Sequence, residues 1–234
     1  MKVTLTRVTT NPILAVEEAA SNCYDSEPTA NGRIMKACYK SGHHSVLEFA
    51  DFTFHIEGIS RACSHQLVRH RHASYAQRSQ RYVNEDGFKY VMPNSIAKDE
   101  SLAIDYQDTM NMLDSAYNYL VDNGIPEEDA RMILPNACET VIEVKMNGRE
   151  LIHFANERLC TRAQWEIREL VKQMKKCLEE YNDECKTFSE FLVPKCQAHK
   201  PYVFCTEHGC CGMAPKLKDV YEAYLAAKEG DSND

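Results

Sequence analysis

The sequence of 234 residues lacks a long hydrophobic run, and no stretch approaches the length that a membrane-spanning helix requires. Residues 1–20 have no long apolar core and include Glu17 and Glu18, so they do not resemble a secretory signal peptide. We therefore expect a cytoplasmic protein without a membrane partner. No internal repeat or low-complexity linker interrupts the chain before its last few residues. This predicts one domain over residues 1–226 and a disordered tail over residues 227–234.

The sequence also lacks the cysteine spacing of a disulfide-stapled secreted protein. Its eleven cysteines are odd in number and scattered, which, without an export signal, is typical of reduced cytosolic thiols. The segment 196–211 is rich in Cys and His, the residue types that bind zinc, but it has no clean pair of Cys-x-x-Cys knuckles. We therefore predict no metal there and interpret the segment as a lid or edge with reduced cysteines.

A third absence is local to residues 58–84, which contain no Asp or Glu but five arginines, in a chain of formal net charge -8. Clustered guanidinium groups without an acidic partner repel one another until an anion neutralises them. The planar guanidinium fork suits phosphate, because it donates two parallel hydrogen bonds. The run predicts an anion site for a phosphorylated ligand. The net negative charge of the whole chain argues against a general nucleic-acid binder, and we expect no nucleic acid as a partner.

Strand and helix patterns are mixed without a regular βαβ alternation, which predicts an α+β fold. Segments with strand character are residues 3–8, 52–56 (ending at Gly58) and 140–146. Helical spacing covers residues 31–40, 59–70, 101–123, 150–159 and 164–188. The arginine-rich segment is predicted to begin at a helix end and to continue as a loop.

The motif Arg69-His70-Arg71, followed by seven residues and then Ser79, resembles the signature of the flavin-dependent thymidylate synthases. Further blocks match in the order of that family: 42–45, 52–55, 130–135, 147–151, Arg158 and 163–167. The resemblance implies the fold of the thymidylate synthase complementing protein, a central and mostly antiparallel sheet flanked by helices.

This resemblance implies a methyltransferase that converts dUMP to dTMP. Methylenetetrahydrofolate would be the one-carbon donor, bound FAD the redox group and NADPH the reductant. The family assembles as a homotetramer with active sites shared between subunits. No cysteine nucleophile is implied, because reduced flavin supplies the electrons and the protein mainly positions the reactants.

The resemblance also implies roles for individual residues. Arg158 is the catalytic residue, since a fixed cation beside the uracil ring would stabilise negative charge that develops on the pyrimidine. The residues assigned to dUMP are Gln66, Leu67, Val68, Arg69, Gln77, Arg78, Ser79, Gln80, Arg81, Arg131 and Arg158. The residues assigned to FAD are His43, Ser45, Arg69, His70, Arg71, Gln77, Asn147, Gly148, Arg149 and His153. No proton transfer is assigned to Gln77, because an amide cannot act as a base.

Two alternatives stay open beside the synthase. One is a nucleotide- or RNA-binding module without catalysis, which would use the arginines as a phosphate clamp and bind in a strongly salt-dependent way. The other is a flavin-binding oxidase that only consumes NADPH. Folate contacts stay unassigned, because Phe49 and Arg162 stand where family members often have histidine.

Overall fold

The computed structural model describes residues 1–230, in which strands and helices alternate irregularly. The strands are β1 (Lys2–Val8), β2 (Asp51–Ser60), β3 (Ala73–Gln77) and β4 (Glu139–Asn147). The α-helices are α1 (Pro12–Tyr24), α2 (Arg33–Lys40), α3 (Arg61–Leu67), α4 (Asn94–Ala97), α5 (Glu100–Asp122), α6 (Glu127–Ala130), α7 (Gly148–Arg158), α8 (Trp165–Tyr181), α9 (Asp183–Ser189) and α10 (Leu217–Gly230). Short 3-10 helices cover His44–Phe49, Arg131–Ile133 and Lys195–Gln197.

The four strands form one antiparallel sheet in the order β1-β2-β4-β3. Along the two central strands, β2 and β4, buried residues alternate with more accessible ones, as the two-residue period of a strand requires. Phe52, Phe54 and Ile56 of β2 are buried, as are Ile142 and Val144 of β4. This alternation gives the sheet one face that packs on the core. The predicted α+β class with a mostly antiparallel sheet is confirmed.

The described residues separate into two compact units, and each unit is built from non-contiguous segments. The first unit comprises Met1–Arg7 and Thr53–Lys145, and it contains almost the whole sheet. The second unit comprises Val8–Phe52 and the described part of Met146–Asp234. The single domain over residues 1–226 stays a prediction.

In the first unit, helix α5 supplies the core that supports the arginine-rich segment. Asp99 caps the helix by accepting hydrogen bonds from the amides of Ser101 and Leu102, at 3.0 and 3.2 Å. The fully buried Tyr117 uses its hydroxyl to accept the amide of Glu85 at 3.2 Å. This hydrogen bond holds Glu85 in the interior, where its carboxylate can form an ion pair with an arginine side chain.

Three features depart from the sequence predictions. Residues 164–188 form two helices, because Asn182 is extended (φ -164°, ψ 173°) and its side chain caps α9 by accepting the amide of Cys185 at 2.8 Å. The expected loop after α3 contains strand β3. Helix α10 includes residues 227–230 of the predicted tail, and residues 231–234 lie outside the described residues.

Within residues 1–230, no helix combines the length and the hydrophobicity needed to cross a membrane.

Candidate functional site

The arginine-rich segment of the first unit runs from the end of α3 through β3. Ser60 starts α3 by accepting the amide of Cys63 at 3.0 Å. The hydroxyl of Tyr75 in β3 reaches back to the carbonyl oxygens of Leu67 (2.9 Å) and His70 (2.7 Å). These contacts fold the turn over residues 68–72 onto the strand. The turn carries Arg69 and Arg71 with exposed side chains.

Gln77 ends β3 with its side chain amide held at two points. Its Nε2 atom donates to the Oγ of Ser64 at 3.0 Å and to the Oγ1 of Thr140 at 3.2 Å. Both hydroxyls are buried. The hydrogen bonds that the amide donates to α3 and β4 fix its orientation, which suits a role in positioning a ligand.

Arg78 and Arg81 form ion pairs with acidic residues. The prediction that the clustered arginines have no acidic partner is therefore wrong for these two. The Nε atom of Arg78 lies 3.2 Å from the buried carboxylate of Glu85. Arg81 donates from Nε (3.0 Å) and Nη2 (2.9 Å) to one oxygen of Glu128. Both carboxylates lie outside the acid-free run. Arg69 and Arg71 have no carboxylate partner among residues 1–230.

Arg131, far from the motif in sequence, shares Glu128 with Arg81 as a hydrogen-bonding partner. The Nε atom of Arg131 donates to the main-chain carbonyl of Glu128 at 3.0 Å, while Arg81 binds the carboxylate. Helix α6 and the 3-10 turn after it bring these groups together. Two of the arginines predicted to hold a phosphorylated ligand therefore contact the same residue.

Arg61 is a further cation of this cluster that was not assigned a role from the sequence. Its Nη1 atom donates to the carbonyl of Arg78 (3.3 Å) and to Thr140 Oγ1 (3.2 Å). Burial lowers the pKa of the Arg61 guanidinium, although the charges of Cys138 and Glu85 raise it. Arg61 belongs to the acid-free run over residues 58–84, together with the four arginines that were assigned to ligands. Its position in that run is the sequence feature from which its role in the cluster could have been predicted.

The first unit's cysteines are Cys63 and Cys138, and both are buried. Burial raises the pKa of the Cys138 thiol to about 11. A thiol in such surroundings stays protonated at neutral pH and is a poor nucleophile. Cys138 is therefore not suited to act through a thiolate.

In the second unit, the start of α7 places two of the residues predicted to bind FAD on an exposed face. Asn147 caps the helix by accepting the amide of Glu150 at 2.9 Å. Arg149 and His153 follow one turn apart, and both are exposed. Arg149 donates to Glu48 at 2.7 Å.

Two more of the predicted FAD residues, His43 and Ser45, lie at the start of the neighbouring 3-10 helix His44–Phe49, where His43 is the N-cap residue. His43 and Ser45 are exposed. His44 instead packs locally, since its Nε2 lies 3.1 Å from the carbonyl of Tyr39 and its ring stacks on Tyr39 at 5.1 Å.

Gly148 has a packing role that explains its residue type. A Cβ at this position would lie 2.3 Å from the ring of Phe188 and 2.7 Å from the carbonyl oxygen of Leu47. Its amide donates to the carbonyl of Ala50 at 2.7 Å. No side chain fits between α7 and the 3-10 helix without displacing the main chain.

Gly148→Ala is expected to lower the free energy of unfolding by about 1–3 kcal/mol, because overpacking forces the backbone to shift. Denaturant titration followed by circular dichroism measures this change. The matched control is Gly209→Ala, whose Cβ would meet only the flexible tip of Arg162. Equal stability of the two variants would contradict the packing role.

The predicted site residues are distributed over both units. The first unit carries Gln66, Leu67, Val68, Arg69, His70, Arg71, Gln77, Arg78, Ser79, Gln80, Arg81 and Arg131. The second carries His43, Ser45, Asn147, Gly148, Arg149, His153 and Arg158. Arg158 is the last residue of α7 and is half-buried.

Comparison with known proteins identifies relatives over most of the chain. The family model for the thymidylate synthase complementing protein matches residues 4–181. The flavin-dependent thymidylate synthase of Geobacter sulfurreducens is 44% identical, with 94% of this chain and 98% of that protein covered. The corresponding protein of Clostridium tetani is 36% identical, with 94% and 97% covered.

A solved structure has a similar fold. The flavin-dependent thymidylate synthase of Helicobacter pylori, crystallised with FAD and dUMP, aligns with a TM-score of 0.67 and 20% identity over 82% of this chain and 100% of that chain. At this identity the structural likeness bears on the fold alone. The sequence matches cover the arginine-rich segment and helix α7 together, and they show that this chain belongs to the flavin-dependent thymidylate synthase family.

Proposed function

We propose that this chain converts dUMP to dTMP, with methylenetetrahydrofolate as one-carbon donor, FAD as redox cofactor and NADPH as reductant. The observation that carries the proposal is that Arg81 and Arg131, from different segments of the first unit, both hydrogen-bond to Glu128. Family membership favours this reaction over an RNA-binding module or a simple NADPH oxidase.

The phosphate of dUMP would bind at the arginine cluster of the first unit. Arg81 and Arg131 offer two guanidinium groups from different segments, and Arg69 lies exposed on the preceding turn. Ser79 adds a hydroxyl whose Oγ already accepts the amide of Arg81 at 3.2 Å. Charge-assisted hydrogen bonds from such donors are the strong ones in phosphate recognition. Gln66 and Gln77 add neutral groups for the base.

The second unit has donors that fit the diphosphate of FAD. Arg149 and His153 are exposed on α7, and His43 and Ser45 are exposed on the adjoining segment. Arg149 is held by Glu48, so its guanidinium is already oriented. FAD supplies the redox chemistry when it is bound. The family resemblance also assigns His70, Arg71 and Gln77 to FAD, and these residues lie in the first unit.

Arg158 would supply the charge that the pyrimidine needs. A fixed cation near the uracil ring stabilises negative charge that develops there, and it needs no reorganisation during the reaction. The remaining residues bind and orient the reactants, which lowers the entropic part of the barrier. No cysteine is required in this scheme.

We further propose a homotetramer with shared sites. Tyr82 and Met132 directly follow Arg81 and Arg131, and their side chains are 78% and 82% exposed. Large apolar side chains beside a polar site are typical of a surface that a second subunit covers. Light scattering after gel filtration tests the assembly. A cytoplasmic location belongs to the same proposal and is supported by eleven free thiols.

Glu128→Gln is expected to tighten dUMP binding by about 2- to 5-fold, because the carboxylate competes with phosphate for Arg81. Isothermal titration measures the Kd. Glu127→Gln is the matched control, since it removes the same charge from the same helix. Equal effects of the two substitutions would mean that net charge, and not the Arg81 contact, controls affinity.

The proposed reaction is tested by tritium release from 5-tritiated dUMP under anaerobic conditions, with FAD, NADPH and methylenetetrahydrofolate. Release that depends on all four components supports the synthase. NADPH consumption that proceeds without dUMP, with no tritium release from flavin-loaded protein, would leave the oxidase as the better description. Binding that follows strand length and falls steeply with salt would favour the RNA-binding module.

A further inference from the structure

Four cysteines of the second unit, distant from one another in sequence, line a single cavity of about 190 Å³. Cys160 follows α7, Cys196 lies in the 3-10 helix Lys195–Gln197, and Cys205 and Cys211 lie in the segment before α10. We propose that this cavity is a Zn²⁺ site whose ligands are the thiolates of these four cysteines. The proposed synthase reaction uses none of them.

The donor set is the first argument for zinc. Four thiolates match the Cys₄ type of structural zinc site, and soft sulfur ligands select Zn²⁺ over Mg²⁺ or Ca²⁺. The histidines of the segment do not add to this set, since neither His199 nor His208 lines the cavity in the described residues. His199 stacks on Phe204 instead, with ring centroids 5.9 Å apart. Of the Cys and His residues that the sequence offers as candidate metal ligands, the structure therefore leaves only cysteines around the cavity.

The second argument is the mutual proximity of the thiols. All four cysteines line the same cavity, and none of them is in a disulfide. Four thiolates in one cavity repel one another when no cation is bound. A divalent ion removes this repulsion and displaces the thiol protons.

The loop geometry around the two C-terminal ligands supports thiolate formation. Cys205 is anchored on both sides, because its amide donates to Pro215 at 2.7 Å and its carbonyl accepts from Leu217 at 3.0 Å. The amide of Glu207 donates to the sulfur of Cys205, and the amide of Met213 to the sulfur of Cys211. Hydrogen bonds to sulfur of this kind tune and orient metal thiolates.

The segment over residues 195–216 buries too few apolar side chains to be stable through its own packing. Between residues 195 and 216, Cys205 and Ala214 are the buried residues, and beyond the first 3-10 turn the structure has no helix or strand. Small segments with so little buried apolar surface are commonly stabilised by a metal or a disulfide. A bound ion would link this segment to Cys160 at the end of α7.

The charges around the cavity are mixed. Arg158, Arg162 and Lys195 line it together with Glu157 and Glu207, and the two carboxylates pair with Lys195 at 3.8 Å and with Arg162 at 3.4 Å. Zinc is therefore favoured by the sulfur donors and not by the surrounding charge. No three of the four sulfurs lie within 4.8 Å of one another in the described residues. Binding therefore requires side-chain rotations and a movement of the loop over residues 206–214, which has no helix or strand to resist it.

The test is the metal content of the full-length chain purified without an affinity tag of histidines. We expect about one zinc ion per chain, and less than about a tenth of that in Cys160→Ser, Cys196→Ser, Cys205→Ser and Cys211→Ser. Cys23→Ser, which removes an exposed thiol of α1, is the distant control. This control should keep the ion.

Cobalt substitution of the parent chain gives a readout that does not depend on any variant folding. Co²⁺ added after zinc is removed with a chelator should give thiolate charge-transfer absorption and the visible bands of a tetrahedral site. A parent chain with neither zinc nor these bands overturns the proposal, as does a mass two hydrogens below that of the reduced chain, which identifies a disulfide. Zinc retained equally in all variants identifies adventitious surface binding and also overturns it. The result is independent of tritium release, so failure of the proposed reaction does not decide it.

Discussion

Arg158→Ala is expected to reduce kcat for tritium release by about 100- to 1,000-fold, the range typical for loss of one preorganised charge at a reacting centre. The purified variant should keep its FAD. Arg158 is half-buried at the end of α7, away from the exposed Arg149 and His153 that we assign to the cofactor. Its loss should therefore affect the reaction more than flavin binding.

Two further substitutions sharpen this test. Arg158→Lys keeps the charge but not the planar fork, so its kcat should lie between those of the parent chain and Arg158→Ala. Arg33→Ala, at the start of α2, controls for the loss of an arginine elsewhere in the same unit. Flavin content is read from the visible absorbance of each protein. A parallel loss of FAD and turnover in Arg158→Ala would contradict a catalytic role and indicate a cofactor-binding one.

The elements that could be predicted from sequence are those whose signals are local. Helix α5 lies within one residue of the predicted 101–123 at each end, because apolar spacing and the Asp99 cap are both encoded nearby. The break at Asn182 also had a local signal, since Asn followed by Asp183 and Glu184 is a helix start. The apolar residues of α8 recur with helical spacing, and this regular pattern led to the prediction of one continuous helix over residues 164–188.

Strand β3 was missed for a different reason. It lies at the edge of the sheet next to β4, and none of its five side chains is fully buried. The hydrophobic alternation that identifies a strand is weak where neither face packs on a core. Its position beside β4 is set by tertiary contacts such as Gln77 to Thr140.

In the candidate site, too, some features could be predicted from neighbouring residues, and others depend on contacts between distant segments. The arginine motif is contiguous, so its residues could be assigned to a phosphorylated ligand from sequence. The pairing of Arg81 with Glu128 depends on helix α6, and no periodicity relates the two segments. The convergence of four cysteines on one cavity is likewise invisible in their spacing, because Cys160 belongs to the turn after α7.

Arg81→Ala is expected to raise the Kd for dUMP by about 10- to 100-fold, since a hydrogen bond to a charged group contributes about 1.5–3 kcal/mol. The absorbance spectrum of bound flavin should not change, because Arg81 is assigned to the nucleotide and not to FAD. Nucleotide titration of flavin-loaded protein measures both quantities. Arg81→Lys should recover part of the affinity through its charge.

A double-mutant cycle with Glu128→Gln decides whether Arg81 itself meets the phosphate. In the parent chain the carboxylate of Glu128 accepts hydrogen bonds from the Nε and Nη2 atoms of Arg81, at 3.0 and 2.9 Å. Glu128→Gln should therefore tighten dUMP binding only while Arg81 is present. If the substitution tightens binding equally in the Arg81→Ala background, Glu128 acts through long-range charge and the phosphate lies closer to Arg131 or Arg69. If Arg81→Ala and the parent chain give the same titration, Arg81 does not hold the nucleotide.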